Sequence, residues 1–345
     1  MNKIKKVFIV PLILSHYNAN EKNINTVFRK NGVKMKHSME FIKEYLNQQQ
    51  VETELIQELE QFRSQYSVED EVKDRIPVPE MLFYGRDILE MSMAALLQGE
   101  NLLLSGAKAT GKNVLCDTLA WLFGRPAYDI SFHVNTDSDS LIGTDTFQNN
   151  EVQLRKGPIY HCAEYGGFGI LDEINMAKND AVSVLHATLD HRRTIDLPGY
   201  SRILLHPAAR FIGTMNYGYA GTKELNEALV SRFMVVDMPP LDEETIQVLI
   251  RNYFGQIRSE ALEQFTGLFL DLQTKALNGE ISTKALDFRG LIGAMRTIRT
   301  GLKPVYAIRM GISNKSFDTF EKEIIEDAAM TRIPSSWTKA DIFEG

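Results

Sequence analysis

The sequence predicts an α/β fold: a parallel sheet flanked by helices, followed by a small helical domain. Three observations carry this. A glycine-bounded loop, Gly106-Ala107-Lys108-Ala109-Thr110-Gly111-Lys112-Asn113, lies between a strand-like apolar run and a helix-period segment. Downstream apolar runs end in polar groups, the pattern of buried parallel strands that deliver side chains at their carboxyl ends. From Asp242-Glu243-Glu244 onward the chain reads as helices, with those acids in a first turn.

The loop follows Asn101-Leu102-Leu103-Leu104-Ser105, and Val114, Leu115, Thr118, Leu119, Leu122 and Phe123 after it share a helix face. Strand, glycine loop, lysine and helix together make a phosphate site. Glycines let successive backbone N–H groups face phosphate oxygens, and the helix start adds its free donors and positive dipole end. Lys112 brings a cation to the outer phosphates. The residue after such a lysine is usually Ser or Thr, whose hydroxyl ligates Mg²⁺; here it is Asn113, whose amide oxygen is also a hard ligand.

The next element is Phe168-Gly169-Ile170-Leu171-Asp172-Glu173, an apolar run ending in two carboxylates. Beside a phosphate loop, Asp172 would hold Mg²⁺ or its water, and Glu173 would act as general base on an attacking water. Alone, the pair would read as a solvated acidic turn. Arg210-Phe211-Ile212-Gly213-Thr214-Met215-Asn216 reads as another buried strand, with Asn216 placed to orient the water and sense the terminal phosphate. Without the loop it would be an Asn at a turn. In Leu225-Asn226-Glu227-Ala228-Leu229-Val230-Ser231-Arg232-Phe233, Arg232 ends a helix before the strand Phe233-Met234-Val235-Val236-Asp237. It either meets the helix dipole or stabilises charge on a neighbouring subunit's nucleotide.

In this order the elements resemble an AAA+ ATPase of the MoxR-like branch, most like the NorQ and CbbQ type of activator and more distantly like the cobaltochelatase ATPase subunit and the McrB motor. The phrases that carry the likeness are Leu171-Asp172-Glu173-Ile174-Asn175-Met176-Ala177, Gly213-Thr214-Met215-Asn216 and Ser231-Arg232-Phe233. Gly157-Pro158-Ile159 and Arg192-Arg193-Thr194-Ile195-Asp196-Leu197-Pro198 add to it. The resemblance spans about residues 75 to 330. It implies a P-loop AAA+ core with Lys112 as Walker A lysine, Asp172 and Glu173 as Walker B, Asn216 as sensor 1 and Arg232 as arginine finger. Arg289, in Arg289-Gly290-Leu291-Ile292, fits sensor 2 of the lid, with Lys284 as rival because Ser282-Thr283 precede it. Asn113 departs from the family's Ser or Thr. The implied protein is a homo-hexameric ring that binds ATP and Mg²⁺ between subunits, hydrolyses ATP, and remodels, activates or inserts a cofactor into a partner with a von Willebrand A domain. The alternatives are a cobaltochelatase-like motor, a McrB-like DNA defence motor, and a non-hydrolysing ATP-gated scaffold that Asn113 would favour.

Composition agrees with a globular chain. The 345 residues are 44% apolar and 24% charged, enough for more than one domain and a sizeable core. A net charge of −7 argues against a general nucleic-acid footprint. The two cysteines, Cys116 and Cys162, have neither ligand spacing nor a framework, and read as reduced thiols of a cytoplasmic protein. The seven histidines form no zinc pattern. Near the start, Val7-Phe8-Ile9-Val10-Pro11-Leu12-Ile13-Leu14 follows Lys3, Lys5 and Lys6. It is too short for a span of about 20 residues, and no small-residue cleavage site follows. No membrane association is expected.

The division predicted is 1–74, a mostly helical accessory segment; 75–240, the α/β core; 241–333, a helical lid; and 334–345, a tail without clear pattern. Val51, Leu55, Leu59, Phe62 and Tyr66 form an amphipathic stripe, read as a helix packed on the core or docking a partner. Arg75-Ile76-Pro77-Val78-Pro79 blocks helix continuation. Ser140-Leu141-Ile142-Gly143 through Gly157-Pro158 resembles the family's insert, and Thr194 to Leu205, turning at Pro198-Gly199, reads as a hairpin. Arg192 and Arg193 read as a solvated basic turn, with contact to a neighbour's phosphate as the sharper account.

Overall fold

The structure is a computed structural model that describes residues 38–133, 135–148, 150–177, 179–195, 200–216 and 225–344. The apolar run at 7–14, with the rest of the first 37 residues, and the hairpin turn at Pro198-Gly199 lie outside the described residues.

Three helices come first: α1 (Met39–Gln48), α2 (Thr53–Gln65) and α3 (Arg86–Leu97). Then β1 (Leu102–Gly106), α4 (Lys112–Phe123) and β2 (Ala127–Ser131) open the sheet. The predicted insert is α5 (Ser138–Ile142) with the hairpin β3 (Gly143–Gln148) and β4 (Glu151–Lys156), followed by α6 (Pro158–Tyr165). β5 (Phe168–Asp172) and α7 (Asn179–Thr188) lead to the small pair β6 (Thr194–Ile195) and β7 (Ile203–Leu204). β8 (Arg210–Asn216), α8 (Glu227–Val230) and β9 (Met234–Met238) complete the core. The lid is α9 (Glu243–Tyr253), α10 (Ser259–Leu277), α11 (Phe288–Arg299), α12 (Pro304–Gly311), α13 (Thr319–Arg332) and α14 (Lys339–Ile342).

The main sheet is five parallel strands in the order β2-β5-β8-β1-β9. Every residue of β1 is buried, as strands covered on both faces require. The chain leaves β1 for the far edge at β2, and β5 and β8 then fill the gap. The parallel register sets Gly106 level with Asn216, and Leu171 level with Gly213. The phosphate loop, Asp172 and Asn216 therefore emerge from one edge of the sheet, where open α/β sheets hold ligands.

Helices α1 and α2 are built into the core. Ile42, Tyr45, Leu46, Ile56, Leu59 and Phe62 share one apolar cluster with Trp121 and Phe123 of α4. Tyr45 stands edge-on to Trp121 at 5.9 Å, and Phe62 edge-on to Phe123 at 5.0 Å. Of the predicted stripe, Val51, Leu59 and Phe62 are buried and Leu55 and Tyr66 partly so; Ile56 joins them. The lid has its own cluster, into which Phe265, Phe269, Leu291 and Met295 pack. The tail is ordered: Thr338 and Asp341 form a capping box around α14, and Ile342 and Phe343 are buried among the lid's apolar residues.

Opposite the ligand edge, arginines close helix ends. Arg125 donates to the carbonyls of Tyr66, Ser67, Tyr165 and Gly166, at the ends of α2 and α6. Arg63 reaches Trp121 and Leu122 at the end of α4, and Arg210 reaches Leu96 at the end of α3. Each guanidinium adds a hydrogen bond to carbonyls at a helix end, where the backbone ladder runs out. No helix among the described residues is long and apolar enough to cross a membrane.

Candidate active site

A cleft of about 620 Å³ lies between the sheet edge and the lid. Of the sequence-predicted residues, Lys108, Ala109, Thr110, Gly111, Lys112, Asn113, Asp172, Glu173, Asn216 and Arg289 line it. Gly106 and Ala107 complete the loop through their carbonyls, which accept from Lys112 Nζ at 3.1 and 2.7 Å.

The loop conformation needs its sequence. Gly111 takes φ +87° just before α4, a region closed to most side chains. Ala109 (φ +65°) and Glu173 (φ +54°) are non-glycine residues in the same region, and both line the cleft. Lys112 also touches Thr110 Oγ1 at 3.3 Å. Burial pushes its ammonium down to about 8, while the Asp172 carboxylate pulls the other way. An ammonium buried with only neutral oxygens as hydrogen-bond partners is poised for an anion.

The acids are positioned through Thr214. Its hydroxyl donates to Asp172 Oδ1 at 2.5 Å and accepts the Glu173 backbone N–H at 3.1 Å. Asn113 Nδ2 donates to Asp172 Oδ2 at 3.5 Å, and Asn216 Nδ2 donates to Glu173 Oε1 at 3.5 Å. Behind this set, burial and then the charge of Asp129 push Asp117 up to about 6; Arg289 opposes them. Arg289 thus acts on α4 from the lid side of the cleft. Lys284 is outside the cleft, and its charge acts on Glu321. Between the two sensor 2 candidates, the geometry brings Arg289 to the site.

The donor set fits Mg²⁺: a carboxylate on Asp172 and an amide on Asn113 are both hard-ligand side chains, adjacent, at the mouth of the phosphate loop.

Arg232 lies outside this cleft. It sits just past α8, donating to the Ala228 carbonyl and standing 3.8 Å from Asp190. Sequence reasoning missed Thr214, a mid-strand residue whose partner is 42 positions away. It also missed Arg296, two turns along α11 from Arg289, which lines the cleft and sits over the Tyr253 ring, 5.2 Å from its centroid. The segment from Glu80 to Tyr84, which forms another wall, carries no motif that announces it.

A phosphate loop after the inner parallel strand β1, with Asn216 at the end of the neighbouring β8 and the acids at the end of β5 beyond it, defines the class: the AAA domain (dynein-related subfamily) matches residues 101–233, and the chain belongs to this family. It is similar to the uncharacterized protein YojN of Bacillus subtilis, 31% identical over 249 residues that cover 71% of this chain and 82% of YojN. It is also similar to the uncharacterized protein SERP0979 of Staphylococcus epidermidis, 30% identical over 248 residues, 70% of this chain and 94% of that one. Among solved structures, NtrX from Brucella abortus in complex with ADP has a TM-score of 0.36 and 17% identity, covering 51% of this chain and 45% of NtrX. Membership of the AAA family implies nucleotide binding.

Proposed function

We propose that this protein is an AAA+ ATPase that hydrolyses ATP to ADP and phosphate at the seam between copies in a homo-hexameric ring. The observation that carries the reading is the convergence of Lys112, Asp172, Glu173 and Asn216 on one cleft that the lid's Arg289 also lines. Lys112 and the loop N–H groups bind the phosphates. Glu173 takes a proton from a water held with Asn216; the water oxygen bonds to the terminal phosphorus as the bond to the departing ADP oxygen breaks. Arg289 couples the lid to that phosphate, and Arg232 serves the site of the next copy. Mg²⁺, held by Asp172 with Asn113, would neutralise phosphate charge. Losing the terminal phosphate removes contacts shared by core, lid and neighbour, which changes the ring's shape.

The likeness to NorQ and CbbQ-type activators supports a downstream role in remodelling, activating or loading a cofactor into a partner with a von Willebrand A domain. A second reading, a nucleotide-gated scaffold that does not hydrolyse, is favoured by one substitution: Asn113 stands beside Asp172 where such loops carry the hydroxyl that ligates Mg²⁺.

Phosphate release with Mg²⁺ tests the proposal. Wild type should exceed Glu173→Gln by about 100-fold, the scale of a lost general base, while the variant still binds ATP. Background release from both proteins, with binding intact, would select the scaffold.

A further inference from the structure

Two guanidiniums and an imidazole gather on one carboxylate outside the cleft. Asp190, two residues past α7, accepts the Arg192 backbone N–H on Oδ1 at 3.1 Å. The same oxygen lies 3.5 Å from Arg192 Nε and 3.0 Å from His191 Nδ1. Its other oxygen lies 3.8 Å from Arg232 Nη2. Arg232 reaches this point from a separate part of the chain, so the fold, not the sequence, pairs the two arginines.

The pairing leaves positive charge unspent. One carboxylate faces two guanidiniums and an imidazole. The Arg192 side chain is 76% exposed. Arg232 is 27% exposed, and its Nε is buried without a hydrogen-bond partner among the described residues. Arg193, next along the chain, is spent otherwise: with φ +49° it turns inward, and its guanidinium donates to the His206 and Ala209 carbonyls at 3.2 and 2.9 Å. Of the two adjacent arginines, only Arg192 is presented outward. None of Asp190, Arg192 and Arg232 lines the cleft of its own chain, so the anion they suit is not the nucleotide held there.

We infer that Arg192 acts with Arg232 on the terminal phosphate of the nucleotide bound by a second copy of this chain, and that Asp190 is a positioning residue that holds the two guanidiniums together until that phosphate arrives. The inference rests on the seam reading above. Asp190 screens the repulsion between two cations brought close, and each arginine gives up a weak, solvated contact for a charge-assisted bond to phosphate.

Mixing of subunits tests it. Arg192→Ala alone should lose about tenfold or more in kcat, against the 10³–10⁵ typical of an arginine finger. Glu173→Gln alone should be inactive. Mixed in equal amounts, the two should recover activity, because a Glu173→Gln copy offers its intact Arg192 to a neighbour whose Glu173 is intact. Random assembly gives about a quarter of the seams this arrangement. Asp190→Asn should lower kcat and leave the KM for ATP unchanged, a split that mere loosening of the fold would not give. The Arg232→Ala and Glu173→Gln mixture is the reference. If it recovers activity and the Arg192→Ala mixture does not, or if Arg192→Ala hydrolyses at the wild-type rate, the role of Arg192 is overturned. If neither mixture recovers, the seam itself is overturned, and this inference with it. Melting curves of each variant alone exclude unfolding as the cause.

Discussion

Thr214 and Asp172 form a unit: the threonine hydroxyl donates to Asp172 Oδ1 at 2.5 Å and accepts the Glu173 N–H at 3.1 Å. One buried side chain thereby fixes both acids of the site. It orients the carboxylate of the first and anchors the backbone of the second, which sits at φ +54°. Thr214→Val keeps the shape and removes both bonds. We expect a loss of about 10–100-fold in kcat, the usual cost of removing a supporting partner, and a stability loss of about 1–3 kcal/mol from the stranded N–H. Steady-state phosphate release and urea unfolding measure the two.

Lys112 makes nucleotide binding depend on pH. Its ammonium is pushed down to about 8 in the free protein. Phosphates favour the charged form, so binding raises that value and takes up a proton wherever the free lysine is neutral. At pH 7 the lysine is already charged and little uptake is expected. At pH 8.5 about three-quarters of a proton should be taken up per ATP, and affinity should fall as pH rises further. Titration calorimetry in buffers of different ionisation enthalpy reads this directly. No uptake at pH 8.5 would mean the lysine stays charged without ligand.

Asn113 should limit the response to Mg²⁺. Asn113→Thr supplies the hydroxyl ligand that phosphate loops usually carry, at the first turn of α4. The variant should reach half-maximal hydrolysis at several-fold lower Mg²⁺ than wild type. Asn113→Ala should move the midpoint the other way. An unchanged midpoint in both would remove Asn113 from the metal's surroundings.

Arg125 bears on the fold alone. It is 1% exposed and donates to four carbonyls at the ends of α2 and α6. Arg125→Met fills the volume and strands those carbonyls, so we expect about 2–4 kcal/mol of destabilisation. Denaturant titration tests this. Residual folded protein should still bind nucleotide, since the arginine is at the opposite end of the sheet.

The lid depends on a backbone contact between α11 and α12. A Cβ on Gly290 would stand 2.1 Å from the Gly311 carbonyl oxygen, and one on Gly311 would stand 2.5 Å from that of Gly290. Gly290 directly follows Arg289, at the start of α11. Gly290→Ala should therefore separate the helices and displace the arginine. Expected are a stability loss of about 1–3 kcal/mol and a rise in the KM for ATP. Gly293→Ala, where a Cβ meets nothing within 4 Å, should be silent.

The local chemistry of the site was legible, and its long-range assembly was not. Lys112, Asp172, Glu173 and Asn216 could be read because each ends or follows a short buried strand, and that placement leaves a local trace. The strand order has no such trace: β1 lies between β8 and β9, and that neighbourhood is decided by packing. Thr214 looks like any threonine in a buried strand until β5 is laid beside β8. The stripe on α2 announced a covered face without naming Trp121 and Phe123 of α4 as part of what covers it. The ending after Pro334 showed no period because α14 is only one turn long. Its Thr338 and Asp341 were nonetheless at capping-box spacing, a signal that could have been used.

That final turn has a practical bearing. Ile342 and Phe343 sit inside the lid's apolar interior, and Phe343 bridges to Ile257. Whatever is fused directly to the last residues, or trimmed from them, acts on the body that carries Arg289. A purification handle is therefore better attached elsewhere, and clipping back to residue 334 is expected to loosen the apolar interior behind Arg289 and blunt turnover without removing any residue that lines the cleft.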